Sequence, residues 1–518
     1  MKFKSCILIC LFLGIQFQTS VAQNPVITVS PNAIIDPLSI EFISKTNPGS
    51  GEVLTILEVE SNDSKKSPER IFEIYDENMA IKQKGNLTWP PNFEANYDYR
   101  VTDILNLPNG YLALLQYHDK KENAYVGYCR YNADMKLISE VVPIIINPTQ
   151  YKKFFGGVRY WKEITFRVNV SENQSVIMFS MYALDATKND KSSLHLYRYY
   201  NAGNGELSDE SRYSVGPNYI PGTSAVNNNG QSVCFYTVKM DDKQIENRIV
   251  SFNAKGEIRQ TLIPKLQRAY YSYSLMIDDE KTTFISAYYH LGNPKLKSQG
   301  VSGIFRYSFR NQDGTEIQDN DVSLQSILEP YYAKDLVGTV FENHAYKIAD
   351  IKTVGESQWI FLRNDVSVDL SVGTSSGERY NYEEFALLLK IDKAGKLEYS
   401  KVVEVYTYSK NGSYTLQKPV LIQKESSVHL LIHDNRKNLN PEDKKLHQLK
   451  SEKDANMVLY SIDSSLNLTK TDLGKALDEE KLVYSTYRSL VYDSKGVLYF
   501  TKGKKARKSK ETLVRLKL

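Results

Sequence analysis

The chain lacks most of the features that assign a function quickly. It has four cysteines in 518 residues, and two of them, Cys6 and Cys10, fall in an N-terminal apolar run. Cys129 and Cys234 remain, enough for one cross-link and too few for a disulfide scaffold. Both sit in apolar, strand-like runs (AYVGYCRY and SVCFYTV), where a free thiol acting as a small buried hydrophobe is expected. A strong charge bias is absent: 24% of the residues are charged and the net charge is +4, which excludes a disordered polyelectrolyte and a polyanion-coating surface. No nucleic acid is expected as a partner. Past the N-terminus no apolar stretch is long enough to span a bilayer, and no convincing helical period occurs.

Tyrosine, in contrast, is abundant, with 37 residues against 19 Phe and 3 Trp. It suits a half-buried pleated surface with one wet end, so a β-rich protein is the first expectation. The opening segment MKFKSCILICLFLGIQFQTSVAQ places Lys2 and Lys4 before an apolar run from Cys6 to Ile15 and a small-residue step at Ser20-Val21-Ala22. This reads as a secretory signal peptide over 1–22, cut after Ala22. Export to the periplasm, the cell surface or the medium follows, with 23–518 as a single domain and no transmembrane segment after cleavage.

Internal repetition dominates that domain. An apolar strand ending in Asp or Asn, then two or three residues, then Gly, Met or Leu and another short strand, recurs seven times. Examples are RIFEIYDENMAI at 70–81, GYCRYNADMKLI at 127–138 and VLYSIDSSLNL at 458–468. The turn residues Asp76, Asn132, Asn201, Asn253, Asn311, Asp392 and Asp463 have a mean spacing of about 64 residues. An eighth copy starts in LVRLKL at 513–518. Upstream of each stands a turn and a strongly apolar strand, such as GEVLTILEV, NGYLALLQY or GQSVCFYTV, preceded by a weaker one. Four antiparallel strands per unit, repeated eight times, predict an all-β fold, a β-propeller of eight four-stranded blades, with seven possible if one unit is irregular. The last unit (YRSLVYD, GVLYFTK, TLVRLKL) is one strand short. The orphan strand VITVS at 26–30 is expected to complete it and remove the open edge.

At these repeats the chain resembles the secreted multi-bladed β-propeller proteins of bacteria. The resemblance rests on the blade pattern, which unrelated functions share. The S-x-D-x-G-x-T-W boxes of sialidases, the repeated Trp docking motif of quinone-dependent dehydrogenases and the G-H and W-D pairs of WD40 arrays are all absent.

Catalytic motifs are scarce too. Gly373-Thr374-Ser375-Ser376-Gly377 matches G-x-S-x-G but lies in a polar hairpin without the strand–turn–helix context of a nucleophile elbow. His429 and His433 in HLLIH share one strand face about 13 Å apart, too far for one ion, so both read as structural. No metal and no cofactor is expected. What recurs is aromatic content in all seven connections between units, including Trp89, Tyr160 with Trp161, Tyr219 and Tyr271. Flat rings with polar rims suit sugars or extended peptides, and Arg forks suit carboxylates. The richest connection is GGVRYWKE, where Gly156 and Gly157 allow close approach and Arg159 adjoins Tyr160 and Trp161. The expected function is a non-catalytic binding or interaction module for a glycan or protein segment, with Trp161, Tyr160, Arg159, Trp89, Tyr219 and Tyr271 as binding residues. The alternative is a carbohydrate-active hydrolase or lyase with two carboxylates or a Tyr/His pair in a central funnel. The charged hairpins, acidic at 365–384 and basic at 504–511, read as solubilising.

Overall fold

A computed structural model describes residues 25–34, 40–45, 51–59, 69–91, 93–119, 124–144, 166–184, 193–216, 219–239, 245–253, 257–262, 268–290, 303–324, 327, 346–364, 366–370, 378–410, 419–439, 447, 449, 455–476, 491–492, 497–502 and 511–518. Among these the chain is all-β apart from single helical turns such as Phe93–Asn96. No helix in them is long and apolar enough to cross a membrane. The strands form eight antiparallel sheets in chain order.

Sheet 1 contains Ile40–Lys45, Val53–Val59, Glu69–Tyr75 and Ile81–Asn86. Sheet 2 contains Tyr97–Leu107, Gly110–Asp119, Ala124–Asn132 and Val142–Pro143. In sheet 3, Phe166–Val170, Val176–Leu184 and Ser193–Asn201 are followed by two short strands, Glu206–Leu207 and Ser211–Gly216, that share the fourth position. Sheets 4 and 5 begin with Tyr219–Val226 and Arg268–Ile277, sheet 6 with Tyr346–Val354 and sheet 7 with Val420–Lys424. Sheet 8 takes Val491–Tyr492, Val497–Lys502 and Glu511–Lys517 from one end of the chain and Val26–Ile34 from the other. Val26 pairs with Lys517 and Val29 with Val514, so the N-terminal strand fills the vacant fourth position as the sequence led us to expect.

The apolar runs are continuous because both faces of each second strand are buried. In Gly110–Asp119, Leu112 and Leu114 enter the cluster shared with sheet 3, while Tyr111, Ala113 and Leu115 enter the one shared with sheet 1. The period of two along a strand sends alternate side chains to opposite neighbours. The same division repeats at every step: sheets 3 and 4 share Met178 and Cys234, sheets 4 and 5 Phe235 and Phe284, sheets 5 and 6 Ile285 and Ile360. Sheets 6 and 7 share Phe361 and Leu430, and sheets 7 and 8 Leu431 and Leu516. An eighth cluster joins Val497 and Leu513 of sheet 8 to Val53, Tyr75 and Met79 of sheet 1, so the packing order closes on itself. First strands of successive sheets approach one another, as Tyr219–Val226 does Arg268–Ile277, and they form the inner side of the array.

The recurrent Asp/Asn turn has a physical cause. Asp76 Oδ1 accepts the backbone N–H of Asn78 and Ala80, each at 2.9 Å, and Asp463 does the same for Ser465 and Asn467. The side chain thereby mimics a turn and caps the strand. Three residues on, the backbone is left-handed at Met79, Met135, Gly395 and Leu466, with φ between 57° and 76°. Glycine is the default there, yet Met79 and Met135 are fully buried. Left-handed backbone costs roughly 1–2 kcal/mol, and burying a Met side chain stabilises by about 1.5–3 kcal/mol, so packing wins. Asn311 departs from the pattern. Its Oδ1 accepts from Thr282 Oγ1 at 2.7 Å, and Asp313 Oδ1 takes the turn N–H of Thr315.

These turns also latch one sheet to the next. Gln83 of sheet 1 donates to Asp134 O, Arg259 of sheet 4 to Asn311 O, Asn320 of sheet 5 to Ala394 O and Arg515 of sheet 8 to Glu77 O. Each acceptor is a carbonyl in the turn of the following sheet, and the last latch closes the series.

One reading of the sequence needs correction. Segment 365–384 is not wholly a loop: Val366–Leu370 forms an extra strand of sheet 6, pairing with the start of the long strand Glu378–Ile391. A charged composition hid its backbone pairing, because a strand extending past the packed sheet needs no continuous apolar run. Gly373–Gly377 and the basic segment 504–510 lie outside the described residues, as does the signal segment 1–22. Cys129 and Cys234 are buried thiols outside any disulfide among the described residues, and burial pushes the Cys129 thiol up to about 12, which leaves it unreactive.

Candidate functional site

Arg159, Tyr160 and Trp161 lie outside the described residues. Their connection leads directly into Phe166–Val170, the first strand of sheet 3. Tyr219 opens the first strand of sheet 4, and Tyr271 lies in the first strand of sheet 5. Those three strands line one cavity, so two of the six aromatic and Arg candidates, Tyr219 and Tyr271, belong to the elements that build it. Trp89 is elsewhere. It is half-buried between sheets 1 and 2, edge-on to Tyr99 at 5.0 Å and to Tyr131 at 6.3 Å. Around it Phe93, Tyr97, Tyr117 and Tyr125 form a continuous ring cluster with centroids 5.1–5.3 Å apart in successive contacts.

The cavity has a volume of about 390 Å³ and is lined by Arg167, Asn169, Gly222, Thr223, Ser224 and Tyr273, with Val168. A backbone irregularity produces it. The pairing of Tyr219–Val226 with its neighbour shifts between Pro221 and Ser224, and that of Arg268–Ile277 shifts between Tyr270 and Tyr273. Such bulges twist a strand and re-aim its side chains, and Pro221-Gly222 within a strand is their sequence mark. Gly222 has no room for a side chain, because a Cβ would lie 2.4 Å from Phe235 Cδ1 and 2.9 Å from Tyr273 Oη. Tyr273 can therefore lie against the strand, its ring 4.6 Å from that of Phe235. Asn169 Nδ2 donates to Ser224 Oγ at 2.8 Å and ties sheet 3 to sheet 4 in the cavity lining. Sequence reading missed these residues because none forms a motif; only their convergence from three sheets makes a site.

Burial sets the local electrostatics, and Arg167 acts second. Burial raises the Tyr273 phenol and Arg167 pulls it back. His195, wholly buried, is pushed down to about 3 by burial first and by Arg167 second, and so stays neutral. Its Nδ1 lies 2.6 Å from Tyr236 Oη, but neither side chain reaches solvent, so this Tyr/His pair serves packing. His429 is likewise structural. Its Nδ1 is 2.8 Å from Ser461 Oγ, and burial, with Lys424 next, pushes it down to about 4. His433 is buried in the same strand. Among the described residues no group of three or more His, Cys, Asp or Glu could hold a metal ion.

Two carboxylates stand on inner strands just past a bulge. Asp103 in sheet 2 and Asp350 in sheet 6 each accept the next residue's backbone N–H at 2.8 Å. Asp350 is held by Lys352 at 3.2 Å. Asp103 is exposed to solvent, yet the protein packed around its carboxyl weakens its hydration and holds it above its ordinary range, with the Ile104 N–H offsetting part of the rise. A carboxyl raised on folding makes the ionised form a cost above the folded pKa, and that cost disappears as pH falls below the unfolded value. Asp103→Asn should therefore melt higher than wild type at pH 7, with the gap narrowing toward pH 4. Melting temperatures across that range decide it, and a variant no more stable at pH 7 rules out the raised carboxyl.

No family model matches the chain, and no curated protein does. Solved structures do. The polysaccharide lyase Uly1 is similar at 10% identity with a TM-score of 0.40, covering 95% of this chain and 98% of that one. The acylaminoacyl peptidase of Pyrococcus horikoshii is similar at 9% identity and a TM-score of 0.33, covering 77% of this chain and 58% of that one. Cobalt-substituted Synechocystis ACO is similar at 9% identity and a TM-score of 0.32, covering 87% and 91%.

Proposed function

We propose that the chain is an exported, eight-bladed β-propeller acting as a non-catalytic binding module for a glycan. The cavity between the inner strands of sheets 3, 4 and 5 carries this reading. Its volume, about 390 Å³, lies within the range of small-ligand pockets, roughly 300–1,000 Å³. Its lining mixes hydroxyl, amide and guanidinium groups with one braced ring, which suits a sugar better than an apolar side chain. Cyclic packing of eight sheets supports the propeller, and the run Cys6–Ile15 followed by Ser20-Val21-Ala22 supports export.

Trp161 precedes Arg167 by six residues in the sequence, in the connection richest in aromatic side chains. Trp161→Ala is therefore expected to weaken glycan affinity about tenfold with the melting temperature held. Calorimetry and thermal melting on the same variant read both quantities. Unchanged affinity with a melt lowered by several degrees would make Trp161 a packing wedge, and retention of peptides alone on a combined glycan and peptide array would replace the glycan by a protein segment. The second reading, a carbohydrate-active enzyme, is favoured by Asp103, whose raised carboxyl suits a general acid. It requires release of new sugar ends that Asp103→Asn abolishes.

A further inference from the structure

We infer that the cavity between sheets 3, 4 and 5 selects an N-acetylated amino sugar, whose acetamido N–H donates to Asn169 Oδ1 while its methyl group packs on the ring of Tyr273. The inference rests on the glycan-binding reading above and deepens it by naming the substituent that is read. The hydrogen-bonding inventory of the lining carries it. Asn169 has spent its Nδ2 on Ser224 Oγ at 2.8 Å, which leaves Oδ1 as the end of the amide still to be used. Among the side chains that line the cavity, Oδ1 is the one oxygen that accepts and cannot donate. Thr223, Ser224 and Tyr273 contribute hydroxyls, which rotate to do either. Among the described residues no partner holds Asn169 Oδ1, Thr223 Oγ1 or Tyr273 Oη, so all three are available to a ligand.

A sugar hydroxyl has no need of a fixed acceptor, because it turns to suit whichever hydroxyl it meets. An amide N–H donates along one direction in the plane of its group, and an acceptor already held in place meets it without further ordering. The acetamido carbonyl then accepts from Thr223 or Tyr273, and the methyl group requires apolar surface close by. That surface is the Tyr273 ring, braced by Phe235 at 4.6 Å and by Phe284 at 6.2 Å and laid against bare backbone at Gly222. Donor, acceptor and methyl thus meet acceptor, donor and ring in one place. A site with a dedicated partner for one polar group of its ligand discriminates strongly against an analogue that lacks the group.

The test uses the full mature chain on an array of N-acetylglucosamine oligomers, glucose oligomers of the same linkage and length, uronate oligomers and peptides. Calorimetry then follows with the N-acetylglucosamine trimer and its glucose counterpart. The acetylated chain should bind about 10- to 100-fold more tightly than the glucose chain, a comparison that needs only the wild-type protein. Asn169→Ala should bring that ratio down about tenfold, whereas Asn169→Asp, which keeps an acceptor in place, should retain most of it. Loss of the tie to Ser224 weakens both ligands alike, so the ratio separates reading from scaffolding, with melting temperatures taken on the same preparations. Equal binding of the two chains, or retention of uronate oligomers alone, would overturn the acetamido inference and leave the glycan reading intact. An unchanged ratio in Asn169→Ala has the same effect. Retention of the peptides and no glycan would overturn both.

Discussion

A chain that begins at Pro37 is expected to melt about 5 °C below one that begins at Gln23. The missing segment contains Val26–Ile34, which pairs with Glu511–Lys517 from Val26 opposite Lys517 to Ile34 opposite Glu511. Each ladder hydrogen bond contributes roughly 0.5–1.5 kcal/mol net. Burial of Ile27 in the cluster between sheets 7 and 8 adds part of about 1.5–3 kcal/mol. Together these come to about 5 kcal/mol. An unfolding entropy of roughly 2.1 cal/mol/K per residue makes 1 kcal/mol worth about 1 °C in a chain of this size. The loss also leaves Glu511–Lys517 as an edge strand, and that strand carries both Arg515, the latch to sheet 1, and Leu513, buried against it. Equal melting temperatures for the two chains would show that sheet 8 holds the array closed without its fourth strand.

Gly222→Ala should damage stability and binding together. The added methyl meets Phe235 and Tyr273 at once. Phe235 cannot yield, because it is fully buried and its ring lies 4.7 Å from that of Phe284. Tyr273 must therefore swing, taking its ring out of the cavity wall. Overpacking of this kind costs about 1–3 kcal/mol, a drop of about 1–3 °C here, and affinity for the cavity ligand should fall at least tenfold. Thermal melting with calorimetry on one preparation reads both. A variant that melts and binds like wild type would mean that the bulge at Pro221–Ser224 adapts and that Tyr273 has no part in the site.

Much of the fold was legible because its causes are local. An Asp or Asn that caps a turn through its own side chain, as Asp76 and Asp463 do, leaves the same mark in every unit. Strands buried on both faces, such as Gly110–Asp119, leave continuous apolar runs. The missing strand of the last unit and the orphan at 26–30 were legible for the same reason. The cavity was not. Arg167, Ser224 and Tyr273 come from three sheets and look like ordinary strand residues in isolation; only the Pro221-Gly222 pair inside a strand betrays the irregularity beneath them. Trp89 shows the converse difficulty. Its position between units fits a ligand platform or a wedge equally well in sequence, and its contacts with Tyr99 and Tyr131 appear only in three dimensions.

The pairing that closes the array also determines how it would respond to force. Val26 lies opposite Lys517, so the two ends of the seam leave it side by side. A pull between them loads one hydrogen bond after another, like a zipper, instead of shearing the whole ladder at once. The fold is thus tightly tied against heat and soft against traction at a single place. Once that seam peels and the array opens there, only the two sheets beside the opening are left leaning on one neighbour instead of two, and the array can be unwound in order from either end.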